Sequence, residues 1–297
     1  MFDFANILFS GPCNARCPFC IGQQIDPALN QNNLHEFPPK NLAAFMALIQ
    51  AHTIRQIVMS GTNTDPQLYS YETELIRLIR DQTAPGTQLS LHTNGRQALQ
   101  KMAIFNQYDR VTLSWPSFNP ETYRTMMGVP HPPDLQAILN ASAIPIKISC
   151  VLTGHNLVEI PDFLASCYKL GIRRVVLRKV YGDSRSWERL IPSTIYNRLP
   201  KMMYRGNPVL DYQGMQVTLW DFAATQSRSI NLFSTGVISA AYLLSEAKRD
   251  STATFPARNS PTITRHRIGQ PSPRPGSWRT PVPDDTPLPR RLPGHCV

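Results

Sequence analysis

Three cysteines within eight residues constrain this chain more than any other feature of its sequence. Cys13, Cys17 and Cys20 stand in the segment GPCNARCPFC at the spacing CxxxCxxC, directly after the apolar run ILF at 7–9. A loop of this length can present three thiolates to one face of a small metal cluster. Iron–sulfur cubanes are usually held by four Cys thiolates, so three would leave one iron open. An open coordination position separates a reactive metal site from a closed structural one.

The spacing, with Phe19 just before the last cysteine, resembles the signature of the radical SAM superfamily. The resemblance implies that Cys13, Cys17 and Cys20 hold a four-iron four-sulfur cluster whose fourth iron is chelated by S-adenosylmethionine (SAM). It also implies that one electron from the cluster cleaves SAM to methionine and a 5′-deoxyadenosyl radical, which abstracts hydrogen from a substrate. That substrate is a peptide or a small molecule, and the partner implied is a one-electron donor such as flavodoxin or ferredoxin.

Length and composition bound the class of protein. A chain of 297 residues, 42% of them hydrophobic, can bury the core of one large α/β domain or two small ones. The remaining cysteines, Cys150, Cys167 and Cys296, are scattered, unlike the disulfide framework of a small secreted protein. The N-terminus lacks the basic region of a signal peptide, and no apolar run approaches the roughly 18 residues of a membrane span. We therefore expect a cytoplasmic protein that does not contact a membrane.

Strand-like and helix-like patterns alternate over the first 185 residues. The expected strands lie at 7–10, 54–60, 88–93, 111–114, 146–152 and 173–180, and the expected helices at 39–52, 71–81, 97–105, 121–127 and 157–170. Such alternation predicts a parallel sheet with crossover helices. A closed eightfold barrel typically needs about 250 residues, so we expect an α/β fold with a partial six-stranded (β/α)6 barrel over 1–185. Radical SAM cores resemble such a barrel, although a flavodoxin-like domain would show the same alternation.

The pattern changes after the sixth strand. Residues 186–250 predict an antiparallel β-hairpin extension, with turns at Gln213-Gly214 and Thr235-Gly236. Residues 251–297 hold ten prolines and predict a disordered Pro/Arg-rich tail. This tail carries seven Arg and two Asp, so it contributes half of the formal net charge of +10. The excess of basic over acidic residues is therefore weak evidence for nucleic-acid binding, and we do not expect a nucleic-acid partner.

Polar residues at the strand ends are the candidates for binding SAM, since reacting groups of α/β barrels gather at the C-terminal ends of the strands. The second end carries Gly61, Thr62, Asn63 and Asp65, in the place of the GGE segment that binds the SAM amino group in the family. No GGE triplet is present, but carbonyls and hydroxyls in a tight loop can accept hydrogen bonds from an ammonium, and Asp65 could supply the missing acid. The same segment also reads as an ordinary turn with Asx capping.

Three further side chains are assigned to the cofactor through the resemblance. Ser114, at the fourth strand end, is the candidate for the SAM ribose. Arg178, near the sixth end, is preferred to Lys179 for the methionine carboxylate because Arg binds a carboxylate bidentately. Phe19 would shield the cluster or pack on adenine, or it is a plain core aromatic. Cys150 could donate hydrogen to a radical if it faced inward, or it is a small buried apolar residue.

Two alternatives stay open from the sequence alone. The first is a metal-binding module, with iron–sulfur or zinc, that senses metal or contacts nucleic acid without catalysis. Zinc usually takes four ligands, and His35 is the near candidate for a fourth. The second is a relative of the radical SAM enzymes whose SAM-binding loop has drifted, as the missing GGE triplet suggests.

Overall fold

One continuous sheet of eleven strands organises the chain in the computed structural model, which describes residues 2–241. The first six strands are all parallel and pair in chain order. They are β1 (Phe4–Phe9), β2 (Gln56–Gly61), β3 (Gln88–Thr93), β4 (Arg110–Ser114), β5 (Ile146–Leu152) and β6 (Arg174–Lys179). The six expected strands and the open parallel α/β architecture are thereby confirmed.

Helices cover the outer side of this sheet. They are α1 (Leu42–Ala51), α2 (Glu72–Gln82), α3 (Met102–Phe105), α4 (Pro120–Met127), α5 (Leu135–Ala141), α6 (Ile160–Lys169) and α7 (Ser193–Tyr196). The apolar spacing predicted α1, α2, α4 and α6 to within a few residues. Sequence analysis missed α5 and α7, although Asp134 signals the start of α5: its side chain accepts a hydrogen bond from Ala137 N at 2.9 Å.

The later strands extend the same sheet at both edges. They are β7 (Pro200–Tyr204), β8 (Asn207–Tyr212), β9 (Met215–Trp220), β10 (Ser229–Leu232) and β11 (Ile238–Ser239). The hairpin turn at Gln213-Gly214 joins β8 to β9, and β9 then pairs parallel to β6. At the other edge β10 pairs parallel to β1 and antiparallel to β11. Each expected hairpin therefore adds a parallel strand to the barrel. The expected domain boundaries, after residues 185 and 250, stay predictions. The expected disordered tail, residues 251–297, lies outside the described residues.

The sheet curls but its edge strands do not pair. Arg205, in the turn between β7 and β8, places its guanidinium 4.4 Å from the ring centroid of Phe4 on β1. Its Nη2 also donates to Gln56 Oε1, at the start of β2, over 3.2 Å. The turn therefore lies across the N-terminal ends of the first strands, and the inner face of the sheet surrounds a cavity. None of the helices in the described part of the chain is long and apolar enough to cross a bilayer.

Alternation along each strand separates the helix-covered core from the cavity wall. On β5, Ile148, Cys150 and Leu152 are fully buried in the main hydrophobic core. Lys147 and Ser149 point the other way and line the cavity. Cys150 thus packs as a small buried residue on the helix side, which is the second of the two interpretations of its role.

Candidate functional site

The cysteine loop follows β1, at the C-terminal end of the strand row, and the loop after β2 holds it in place. Three side chains of that second loop bond to backbone atoms just before Cys13. The bonds are Thr62 Oγ1 to Phe9 O (3.1 Å), Gly11 N to Asn63 Oδ1 (3.1 Å) and Thr64 Oγ1 to Pro12 O (2.7 Å). The residues expected to bind SAM therefore also position the cysteines, a role that sequence reasoning did not find.

Gly61 allows this loop to turn back on itself. A Cβ atom at Gly61 would lie 1.7 Å from the carbonyl oxygen of Thr64, which is far inside van der Waals contact. Only a residue without a Cβ fits this close approach of two backbone segments. Gly61 therefore shapes the loop that carries Thr62, Asn63 and Asp65.

Helix α4 packs against the cysteine loop from the other side. The backbone N–H of Arg16 donates to Met127 O over 2.8 Å, and Cys17 Sγ lies 3.7 Å from Met127 Sδ. Gly128, which ends α4 in the left-handed region at φ 63°, leaves room for the loop because a Cβ there would lie 2.6 Å from Arg16 O. The cysteine loop is therefore held between α4 and the loop after β2. Such support on both sides would keep the three cysteines in fixed positions.

The pKa values of Cys13 and Cys17 are shifted by burial and by the charge of neighbouring cysteines. Burial raises the pKa of Cys17 to about 12, and Cys20 and Cys13 add to the shift because their thiolates would repel its own. Burial also raises the pKa of Cys13. With their pKa values raised, Cys13 and Cys17 ionise when positive charge binds their sulfurs, as iron does in a thiolate-held cluster.

Three thiols are the type of donor that an iron–sulfur cluster takes. Among residues 2–241, no three His, Cys, Asp or Glu side chains are grouped to hold one metal ion. A cubane instead binds each thiolate to a different iron, which separates the sulfurs. His35, the candidate fourth zinc ligand, is bonded through Nδ1 to Ser70 Oγ at 2.6 Å. The buried amide nitrogen of Asn14, next to Cys13, has no partner in the described structure and could donate to a cluster sulfide.

The three cysteines and the seven residues assigned to the cofactor from the sequence line one cavity of about 750 Å³, a volume in the usual range for ligand sites. Phe19 is half-buried, packs against the main core and also faces the cavity. Its role toward the cluster or adenine stays a prediction. Ser114 lies opposite Ser149 in the register of β4 and β5. Arg178 Nε donates to Ser149 Oγ over 2.9 Å, so the structure places Arg178 near Ser114 on one wall.

Asp65 is buried and its carboxylate is fully engaged by protein donors. It accepts hydrogen bonds from Gln67 N at 3.0 Å, from Asn94 N at 2.6 Å and from Thr93 Oγ1 at 2.9 Å. Burial raises the pKa of Asp65 to about 6 in spite of these bonds. The Asx capping considered for this segment is therefore present, and it ties the loop after β2 to the end of β3. A contact of Asp65 with SAM stays a prediction.

Sequence reasoning missed the cations that line the same cavity at its other end. They are Arg110, Lys147, Arg174 and Arg205. Strand alternation could have found Lys147, because Lys147 and Ser149 share a face of β5. No local pattern signals Arg205, which reaches the cavity only because the sheet curls.

The structure is an open parallel barrel, and three cysteine sulfurs lie at the carboxyl ends of its strands. These features are those of an α/β protein with a metal-cluster site. The family model described as the radical SAM superfamily matches residues 7–167, more than half of the chain. The chain therefore belongs to the radical SAM superfamily. The cofactors of this family are a four-iron four-sulfur cluster and SAM, and the ligand set around Cys13 fits the cluster.

Solved structures with a similar fold share little sequence with this chain. That of anSMEcpe with bound AdoMet and Kp18Cys peptide has a TM-score of 0.50 and 9% identity over 82% of this chain and 75% of its own. SuiB from Streptococcus suis, bound to precursor peptide SuiA, has a TM-score of 0.48 and 15% identity over 60% of this chain and 40% of SuiB. Coproporphyrinogen III oxidase (HemN) from Escherichia coli has a TM-score of 0.41 and 14% identity, over 60% and 44%.

The chain thus spans about two fifths of the SuiB chain that it resembles. At 9% identity and a TM-score of 0.50, the likeness to anSMEcpe shows the fold alone and leaves the substrate open. A comparison with curated protein sequences finds no match.

Proposed function

We propose that the protein is a radical SAM enzyme in which Cys13, Cys17 and Cys20 hold a four-iron four-sulfur cluster beside bound SAM. The chemistry that the bound cofactors supply is one-electron cleavage of SAM and abstraction of a hydrogen atom from a substrate. The observation that carries the proposal is the convergence of all three cysteines and the expected SAM contacts on one cavity at the strand ends.

Within that cavity the chain's own residues would position the cofactor. Arg178, oriented by its bond to Ser149, would pair with the methionine carboxylate of SAM, and Ser114 would contact the ribose. The loop of Gly61, Thr62, Asn63 and Asp65 would bind the amino group through its remaining acceptors, while Phe19 would cover the cluster. Cys17 and Cys20 are half-buried, which would limit the access of water to their side of the cluster, whereas Cys13 is exposed.

The substrate would occupy the rest of the cavity, and a one-electron donor such as flavodoxin or ferredoxin would reduce the cluster from the exposed side near Cys13. Free thiols at five described cysteines suit a reducing cytoplasm. SuiB and anSMEcpe were solved with peptides, but the substrate here is left as a peptide or a small molecule.

The first test is the formation of 5′-deoxyadenosine. The full chain, reconstituted anaerobically with iron and sulfide and reduced, should hold about four irons and cleave SAM. Cys17→Ala should lose the cluster and all 5′-deoxyadenosine. Cys167→Ala, which removes a buried thiol on α6 outside the cavity, is the matched control and should keep both.

The possible failures have different meanings. One zinc per chain without iron–sulfur absorbance would contradict the proposal and favour the metal-binding module. A full cluster with no SAM binding, measured by equilibrium dialysis, would instead favour a relative whose SAM-binding loop has drifted.

A further inference from the structure

The far end of the cavity carries a cluster of cations, which we call the basic floor: Arg110, Lys147, Arg174 and Arg205. Arg110 and Arg174 are the first residues of β4 and β6, and Lys147 is the second residue of β5. Arg205 reaches the same level because its turn contacts Gln56, the first residue of β2. The basic floor therefore lies at the N-terminal ends of the strands, opposite the cysteines.

Little negative charge offsets the basic floor in the described structure, where Asp109 attracts Arg110 without forming an ion pair with it. None of its four members forms an ion pair with a carboxylate of residues 2–241. The partners of Arg110 and Arg205 are neutral, namely Ser90 Oγ at 2.8 Å and Gln56 Oε1 at 3.2 Å. The side chains of Lys147 and Arg174 make no hydrogen bond to the described residues.

The acidic side chain of the cavity lies far from the basic floor. Asp65 is the one acidic side chain among the described lining residues, and it stands at the cysteine end with its oxygens engaged. Four neighbouring cations that repel one another in a partly buried wall are costly unless a ligand supplies negative charge. An arrangement of this kind is typical of a site that binds phosphate or carboxylates, which Arg contacts through two N–H donors at once.

Resting on the proposed function, we infer that the basic floor binds a multiply charged anionic group of the substrate, either a phosphate or a set of carboxylates. From Arg110 to Ser114 the strand β4 rises roughly 13 Å over its four residue steps. The anionic group is thus held at one end of the cavity, and the reacting C–H of the substrate lies about that far away, beside the cofactor. The basic floor acts as a specificity determinant that sets which atom of an elongated anionic substrate faces the radical.

Anion binding tests the inference without any need for catalysis. Calorimetric titration of the reconstituted full chain with pyrophosphate, phosphate and citrate, at constant ionic strength, should show one saturable site for at least one of these anions. Arg174→Gln should weaken that binding at least about tenfold, because it removes a charged donor that faces the ligand. Preference for pyrophosphate or for citrate separates a phosphate-bearing substrate from a polycarboxylate.

Arg173→Gln is the matched control, because it removes the same charge one residue earlier and outside the cavity. Arg173 is bonded to the carbonyl of Ile172 at 3.2 Å and stacks on Tyr168, so this variant should change anion affinity less than about twofold. If Arg174→Gln fails to fold by circular dichroism, Lys147→Gln replaces it with the same expectation.

Two results would overturn the inference. One is the absence of binding by all three anions up to about 10 mM, and the other is equal weakening by Arg173→Gln and Arg174→Gln. The Cys17→Ala variant keeps the two proposals apart. It should lose SAM cleavage but retain anion binding within about twofold, since the basic floor lies a strand length from the cluster.

Discussion

Lys147 is the residue whose charge responds most to conditions near neutral pH. Burial lowers its pKa to about 7, and the positive charges of Arg178, Arg174, Arg110 and Arg205 act in the same direction. His92 also faces this wall, but burial holds its pKa well below the usual value, so it stays neutral. Anion binding should therefore take up one proton, at Lys147.

This proton uptake predicts how anion affinity depends on pH. Sulfate is the suitable probe because its charge is constant across neutral pH. Below its pKa of about 7 Lys147 is charged and attracts the anion, and above it the attraction is lost. Sulfate affinity should rise as the pH falls from about 8.5 to about 6, with a slope of at most about tenfold per pH unit for a single proton.

Lys147→Arg supplies the control for this prediction. An Arg side chain stays charged throughout the range, so the variant should bind sulfate with little pH dependence and should match the wild type at low pH. An unchanged slope in Lys147→Arg would show that another group titrates.

At the scale of elements, the loop after β2 couples the two halves of the site. It connects to the backbone before Cys13 through Thr62, Asn63 and Thr64, and to the end of β3 through Asp65. Disturbing the loop should therefore disturb the cluster ligands even though no cysteine is changed.

Gly61→Ala is the sharpest test of this coupling. The added methyl would lie 1.7 Å from Thr64 O, so the loop must move and its bonds to the cysteine loop must lengthen. We expect a loss of about 2 kcal/mol or more in the free energy of unfolding and less iron per chain after reconstitution. Gly154→Ala is the control, since a Cβ there meets no atom within 4 Å and should leave both quantities unchanged.

At the scale of the whole molecule, the sheet runs without interruption from the core to the later hairpins. β6 pairs with β9 over five residue pairs, so residues 200–220 complete the wall that begins at β1. A shared sheet couples the unfolding of its parts, because separating them would expose strand edges and apolar side chains such as Val217.

Single-tryptophan variants can measure that coupling. One variant retains only Trp115, beside β4, and the other only Trp220, on β9. In each variant the fluorescence should report the same denaturant midpoint as circular dichroism, to within about 0.2 M, as expected for two-state unfolding. A lower midpoint for the Trp220 variant, with the same overall stability by circular dichroism, would show that the hairpin region unfolds on its own.

Features encoded by neighbouring residues could be predicted from the amino-acid sequence alone. The spacing of Cys13, Cys17 and Cys20 indicated a three-ligand loop, and the alternation of short apolar runs predicted six strands in the observed order. Both signals come from neighbouring residues, whose geometry the backbone sets over a few bonds. Strand order followed in turn, since sequential parallel strands with crossover helices usually lie side by side.

Which distant side chains meet depends on the tertiary fold. The curl of the sheet brings Arg205 to the start of β1 and gathers the basic floor from three strands and a turn. The pairing of β2 with β1 and β3 brings Thr62 and Asn63 to the cysteine loop, and Asp65 to Thr93 and Asn94 at the end of β3. These contacts join residues far apart in the chain, so they depend on how a twisted sheet packs as a whole, and no local pattern specifies that packing.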